Sequence, residues 1–228
     1  MVGCAVYYVR LLFYCEIMKR CIFLLLCCIG LGISHAQTQT DAEILEKIKQ
    51  ASLQVRSLVC DFTQEKHISI LDDALVATGT MHYQASDKLR WEYAKPSAFV
   101  FILNGNQVLL KSSAQTQLVD GQKDRRFKQM AKMMAGNLIG NSLDDTKSFK
   151  SQVQQVDNLW QVTLIPLRND LKQMWQKVVL YVSKDEQMVS KVEIYELSGD
   201  YTRISFTNIQ VNQPIDTTVF DMTQASLR

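Results

Sequence analysis

The sequence predicts a mainly β fold of the α+β type, an unclosed, strongly curved antiparallel β-barrel of about eleven strands covered by helices. Three observations carry that prediction. From Leu58 onward most of the chain alternates apolar and polar residues with period two, the pattern of half-buried strands. Short turn signals separate the alternating runs. Helical spacing appears before the first strand and once more in mid-chain, where a helix interrupts the strands as a lid would.

The elements follow in order. Asp41 to Leu58 reads as a helix, with Thr40 or Asp41 as cap and Ile44, Leu45, Ile48, Leu53 and Val55 as its apolar stripe. Then Leu58, Cys60, Phe62 and Gln64 alternate with Val59, Asp61, Thr63 and Glu65. A strand over Leu75 to Tyr83 follows a polar turn at Asp72-Asp73. In Lys88 to Tyr93, Leu89, Trp91 and Tyr93 share one face and Lys88, Arg90 and Glu92 the other, and Pro96 ends the strand. Asn104-Gly105 is a hairpin signal between Phe99 to Leu103 and Gln107 to Lys111. Gln115 to Val119 is a further strand. Arg125 to Ile139 breaks the pattern: Phe127, Met130, Ala131, Met134 and Leu138 recur at helical spacing, with Met133 beside them and Gly140-Asn141 as a stop. Strands resume over Phe149 to Val156, Leu159 to Ile165, Lys177 to Val182, Val189 to Leu197 and Tyr201 to Val211. Pro214 to Phe220 closes the chain as a short turn or helix.

The N-terminus reads as an export signal over residues 1–36. Met18-Lys19-Arg20 is basic, Cys21 to Ile33 is apolar, and Ser34-His35-Ala36 sets small residues at a cleavage site. Residues 1–17 sit awkwardly before that signal; a start-site artefact and a longer signal are both open readings. A lipidated cysteine competes, but Leu26 and Cys27 suit a lipobox poorly. Cleavage after Ala36 leaves one exported domain, 37–228. Of the six cysteines only Cys60 stays, so neither an internal disulfide nor a cysteine zinc site is available. The leader takes Arg10, Lys19, Arg20 and Glu16 with it and leaves acids and bases in balance. With no basic block, nucleic-acid binding has no electrostatic footprint.

Catalytic chemistry is missing from the pattern. No H-E-x-x-H, G-x-S-x-G or C-x-x-C occurs, and no phosphate-cradling glycine loop. His67 and His82 read as surface histidines, Cys60 as a buried core thiol, and Asp72-Asp73 and Asp144-Asp145 as turn residues. The expectation is a non-enzymatic, monomeric binding protein without cofactor or metal.

A curved sheet must cover its apolar concave face, and two helices are available to do so. They either fill that side as an ordinary core or close over a cavity; the pattern leaves both open. Met130, Met133 and Met134 favour the cavity, because unbranched, polarizable methionine repacks around varied guests. The expected wall is Phe62, Met81, Leu89, Trp91, Tyr93, Phe99, Phe101 and Leu164; the expected lid is Phe127, Met130, Met133, Met134 and Leu138.

The order of motifs resembles the LolA family of outer-membrane lipoprotein carriers. The pieces are Phe62-Thr63-Gln64, Gly79 opening a strand, Leu89-Arg90-Trp91-Glu92-Tyr93, Pro96, and Asn104-Gly105 between strands, with a looser likeness to the C-terminus. The resemblance implies an unclosed barrel with a helical lid that shelters lipoprotein acyl chains. It implies three partners: acylated lipoproteins, an inner-membrane lipoprotein-releasing ABC transporter and an outer-membrane acceptor. Leu89 matches an inward position on the family's third strand. One departure stands out: family members often carry a lid-latching arginine six residues before the strand's tryptophan, and here that position is Ala85. A sensor module and a shuttle for other amphiphiles remain alternative readings.

Overall fold

The computed structural model describes residues 40–85, 87–120, 143 and 145–223. The first helix, α1 (Asp41–Leu53), starts with a reciprocal cap. The Thr40 hydroxyl accepts from the Glu43 amide at 3.3 Å, and the Glu43 carboxylate accepts from the Thr40 amide at 2.9 Å. Ile44, Ile48 and Ser52 form its buried face. The Asp41 carboxylate accepts from the Val153 amide at 3.2 Å and ties the helix to a distant strand.

The helix ends earlier than its periodicity predicts, at Leu53 and not Leu58. The reason is Asn212. Its side chain accepts from the Arg56 amide at 2.7 Å and donates to the Gln54 carbonyl at 3.0 Å, which holds the chain in a turn. Leu53, assigned to the apolar stripe, is 58% exposed as a result, while Val55 is buried beyond the helix.

Eleven strands follow: β1 (Ser57–His67), β2 (Leu75–Gln84), β3 (Lys88–Lys95), β4 (Phe99–Asn104), β5 (Gln107–Ser112), β6 (Thr116–Asp120), β7 (Phe149–Val156), β8 (Leu159–Pro166), β9 (Trp175–Ser183), β10 (Val189–Glu196) and β11 (Tyr201–Val211). A short helix α2 (Asn169–Lys172), not anticipated from the sequence, links β8 to β9, and a 3-10 turn (Thr217–Phe220) follows β11.

All strands lie in one antiparallel sheet of order β6-β5-β4-β3-β2-β1-β11-β10-β9-β8-β7. The first and last strands therefore pair at the centre, with Phe62 opposite Phe206 and Gln64 opposite Ile204. Among the described residues β6 and β7 keep free edges, so the barrel is unclosed.

Burial shows the curvature. Laid flat, eleven strands would be about 48 Å wide, at about 4.8 Å per spacing. The 13 residues of α1 reach only about 20 Å. Yet a single apolar cluster gathers side chains from one face of every strand, from Val119 on β6 to Phe149 and Val153 on β7. That face must be concave.

The convex face is covered locally by the chain's end. Phe220 is fully buried, with its carbonyl 3.2 Å from Asn104 Nδ2 and the Lys88 ammonium above its ring. Beneath it Arg90 and Glu92, each 6% exposed, form an ion pair at 2.8 Å, and Arg90 also donates to the Val219 carbonyl at 3.3 Å. Strand parity had placed this pair outward, and the 3-10 turn buries it there.

Candidate functional site

The concave wall is built by register. Phe62 faces Gly79 across β1 and β2; Met81 faces Cys60 and Trp91; Trp91 faces Phe101; Leu89 faces Leu103. On the other flank Leu164 faces Val178, and Val162 faces Leu180, which faces Val192. All eight expected wall residues share this face. Phe62, Met81, Leu89, Trp91, Phe101 and Leu164 are buried, and Tyr93 and Phe99 pack against them half-buried. The five expected lid residues, Phe127, Met130, Met133, Met134 and Leu138, lie outside the described residues, as does the signal segment.

Sequence reasoning chose the wall on β1 to β4, with Leu164 on β8, and missed most of the flank on β8 to β11. Trp160, Val162, Val178, Leu180, Val182, Val192 and Phe206 belong to the same cluster. β8 carried the signal as clean alternation, whereas β9 is apolar on both faces over Val178 to Val182 and gives no parity.

The aromatic half is locked by its rings. Phe62 stands 4.6 Å from Trp91 and 5.1 Å, edge to face, from Tyr93; Trp91 meets Phe206 edge-on at 6.3 Å. This closeness depends on Gly79. A Cβ there would stand 1.9 Å from the Glu92 carbonyl oxygen and 2.7 Å from the Phe62 ring. A shift in pairing between Thr78 and Gly79 sets that approach.

The wall is graded along the strands. On β1, Leu58, Cys60 and Phe62 give way to Gln64 and Lys66. On β3, Leu89 and Trp91 give way to Tyr93, whose hydroxyl donates to Gln64 Oε1 at 2.9 Å. On β10, Val192 and Ile194 give way to Glu196, which pairs with Lys66. These three strands run in the same direction, so one end of the concave face is apolar and the other polar. Burial and the neighbouring Asp61 charge push the Cys60 thiol up to about 12, which makes it inert.

The convex side of β9, β10 and β11 carries a polar network. Glu193, 3% exposed, accepts from Arg203 Nε at 2.9 Å, the Tyr195 hydroxyl at 2.9 Å and the Tyr181 hydroxyl at 3.0 Å. Burial alone would raise its carboxyl, but these hydrogen bonds outweigh it and hold the value below 4.5. Burial and the Glu193 carboxylate push the Tyr195 phenol up to about 12.

The histidines depart from expectation. Both are half-buried, not on the open surface; His67 stacks on Tyr201 at 4.3 Å. Among the described residues no group of three or more His, Cys, Asp or Glu is placed to hold a metal ion. Ala85 is exposed, and its amide donates to the Arg56 carbonyl at 2.8 Å.

An open sheet with one continuous apolar concave face defines a carrier-type lipid-binding protein. The chain belongs to the family described as outer membrane lipoprotein carrier protein LolA, whose model matches residues 53–223. No curated protein matches the sequence. Among solved structures, the chain is similar to a LolA superfamily protein from Nitrosomonas europaea, at 11% identity and TM-score 0.43, covering 82% of this chain and 99% of that one. It is also similar to the lipoprotein LppX of Mycobacterium tuberculosis, at 11% identity and TM-score 0.44, covering 78% and 99%. A third, MucB in complex with MucA, has 11% identity and TM-score 0.37, covering 80% and 59%.

Proposed function

We propose that residues 37–228 form a periplasmic carrier that shelters the acyl chains of lipoproteins and conveys them from the inner to the outer membrane. The observation that supports this most is the concave wall, where large apolar side chains from every strand converge on one face. Family membership supports acylated lipoproteins as the cargo class. Free energy supplies the need. At about 0.8 kcal/mol per methylene, one sixteen-carbon chain resists water by roughly 12 kcal/mol. A carrier must offset most of that, yet release its cargo, so a broad apolar wall with few directional contacts suits the task.

Phe62, Met81, Leu89, Trp91, Tyr93, Phe99, Phe101 and Leu164 are the acyl-binding wall in this reading. Phe127, Met130, Met133, Met134 and Leu138 form the lid over it. The donor is an inner-membrane ABC transporter and the recipient an outer-membrane acceptor. The carrier acts as a monomer and has no catalytic role. With Ala85 at the position of the usual latch, lid closure differs from that of the family members that carry the arginine.

The test is a release assay with inner-membrane vesicles holding acylated cargo. The mature protein retains that cargo in solution, and Leu89→Glu, which sets a carboxylate at a position 1% exposed, disturbs loading or release. A wild-type protein that never retains acylated cargo overturns the reading. Retention of a glycolipid or another amphiphile in its place would identify a shuttle with different cargo.

A further inference from the structure

Ten large apolar side chains are exposed among the described residues, and they are not scattered. Seven stand at one end of the sheet, where β1 finishes and β2, β9 and β11 begin. The β1–β2 turn and the first residues of β2 carry Ile70, which is 88% exposed, with Leu71, Leu75 and Val76. The β10–β11 turn carries Leu197, and the link between β8 and β9 carries Leu167 and Met174. The opposite end shows only Leu53, at the close of α1, and Val156, at the close of β7.

Two of these connections act as one. The Ser69 amide donates to the Asp200 carboxylate at 2.8 Å, which joins the β1–β2 turn to the β10–β11 turn. Pairing of β2 with β3 stops at Thr78, so Leu75, Val76 and the turn before them project past β3. Rings and cations stand behind the aliphatic tips. Tyr201 is flanked by His67 and Tyr195, at 4.3 and 5.4 Å, and the Lys177 ammonium lies 4.4 Å from the centre of the Tyr195 ring. Trp175 opens β9 at the same end.

Clustered apolar exposure marks a docking surface, and its order distinguishes the occupants. A protein partner is met by aromatic and arginine anchors at the centre of the patch, with lysine depleted. A bilayer is met in the reverse order: aliphatic groups foremost, tyrosine and tryptophan at headgroup depth, and lysine stems reaching toward water. The second order is the one found here. Asp72 and Asp73 share the β1–β2 turn, so attraction to anionic headgroups does not drive the contact, and apolar burial must.

We infer that this end of the sheet docks on a lipid bilayer, with Ile70 and Leu71 entering the interface first. The assignment goes beyond cargo carriage: it gives the molecule a membrane contact of its own, on a surface separate from the concave wall. Docking this way turns the Gln64 and Lys66 end of the concave face toward the lipid.

The test is flotation of the mature protein with phosphatidylcholine vesicles, with and without phosphatidylglycerol. The wild type rises with both, and added salt leaves the bound fraction unchanged. Ile70→Ser combined with Leu71→Ser lowers the ratio of bound to free protein by at least about tenfold, because two side chains no longer gain by leaving water. Leu53→Ser, 58% exposed at the other end, floats as the wild type does. All these side chains are exposed, so both variants keep the wild-type melting temperature and bind a fluorescent apolar dye equally well. A wild type that stays in the soluble fraction overturns the inference. So does a double variant that floats undiminished, or binding that needs phosphatidylglycerol and vanishes in salt. A concentration-dependent dimer abolished by the same two substitutions overturns it in favour of a second copy of the chain. Retention of acylated cargo, and not flotation, decides the carrier reading, so the two fail separately.

Discussion

Gly79→Ala tests the closest approach in the wall. The added Cβ would stand 1.9 Å from the Glu92 carbonyl oxygen, 2.9 Å from that carbonyl carbon and 2.7 Å from the Phe62 ring, where ordinary carbon contacts begin near about 3.5 Å. The ring tip can rotate away, but the Glu92 carbonyl is backbone. To relieve the clash β3 must withdraw from β2 by more than about an ångström. Overpacking of this kind costs about 1–3 kcal/mol. Each ladder hydrogen bond stretched beside it adds about 1 kcal/mol. With one such bond these amount to about 2–4 kcal/mol, or a fall of about 4–16 °C in melting temperature for a domain of this size. Gly199→Ala is the control: nothing lies within 4 Å of its Cβ, and only its φ of +91° opposes a side chain. Urea titrations of the two variants, read by circular dichroism, make the comparison. If Gly79→Ala loses no more stability than Gly199→Ala, the steric account is wrong. Because Phe62 also packs against the Trp91 and Tyr93 rings, Gly79→Ala weakens apolar-dye binding as well.

Two further expectations follow from ionisation. The folded Glu193 value lies below 4.5, so its stabilisation is complete above about pH 4.5 and is lost as pH falls through the folded value. Tyr195 and Cys60 are raised to about 12 from 10.0 and 9.0, so their contributions are complete below those ordinary values and disappear as pH climbs toward 12. Melting temperature against pH therefore forms a plateau with an acid and an alkaline shoulder, and Glu193→Gln flattens the acid one; an unaltered acid shoulder would refute the role given to Glu193. The native Cys60 thiol resists iodoacetamide at mildly alkaline pH and reacts once urea unfolds the chain; rapid labelling of the folded protein would contradict its burial.

The strands were legible because alternation survives wherever one face is buried. Leu89, Trp91 and Tyr93 against Lys88, Arg90 and Glu92 gave both the strand and its orientation. The candidate wall was legible for the same reason, and all eight residues fall on one face. What escaped notice depends on long-range partners. The end of α1 is set by Asn212, more than 150 positions away in sequence, so local periodicity could not locate it. The burial of Arg90 and Glu92 depends on a C-terminal turn packing over β3 and β4, which parity does not encode. The polar pair of Gln64 and Tyr93 joins two strands that are not hydrogen-bonded neighbours, and only curvature brings them together.

The pairing of the first strand with the last has a mechanical consequence. A closed barrel has its radius fixed by strand number and stagger, because a full ring of hydrogen bonds must be satisfied. Here β1 and β11 form a spine, with one leaf running out to β6 and the other to β7. No ladder joins the outer margins among the described residues, so spreading the leaves breaks side-chain contacts but no backbone pairing. The two margins can thus part or approach while the spine stays paired throughout.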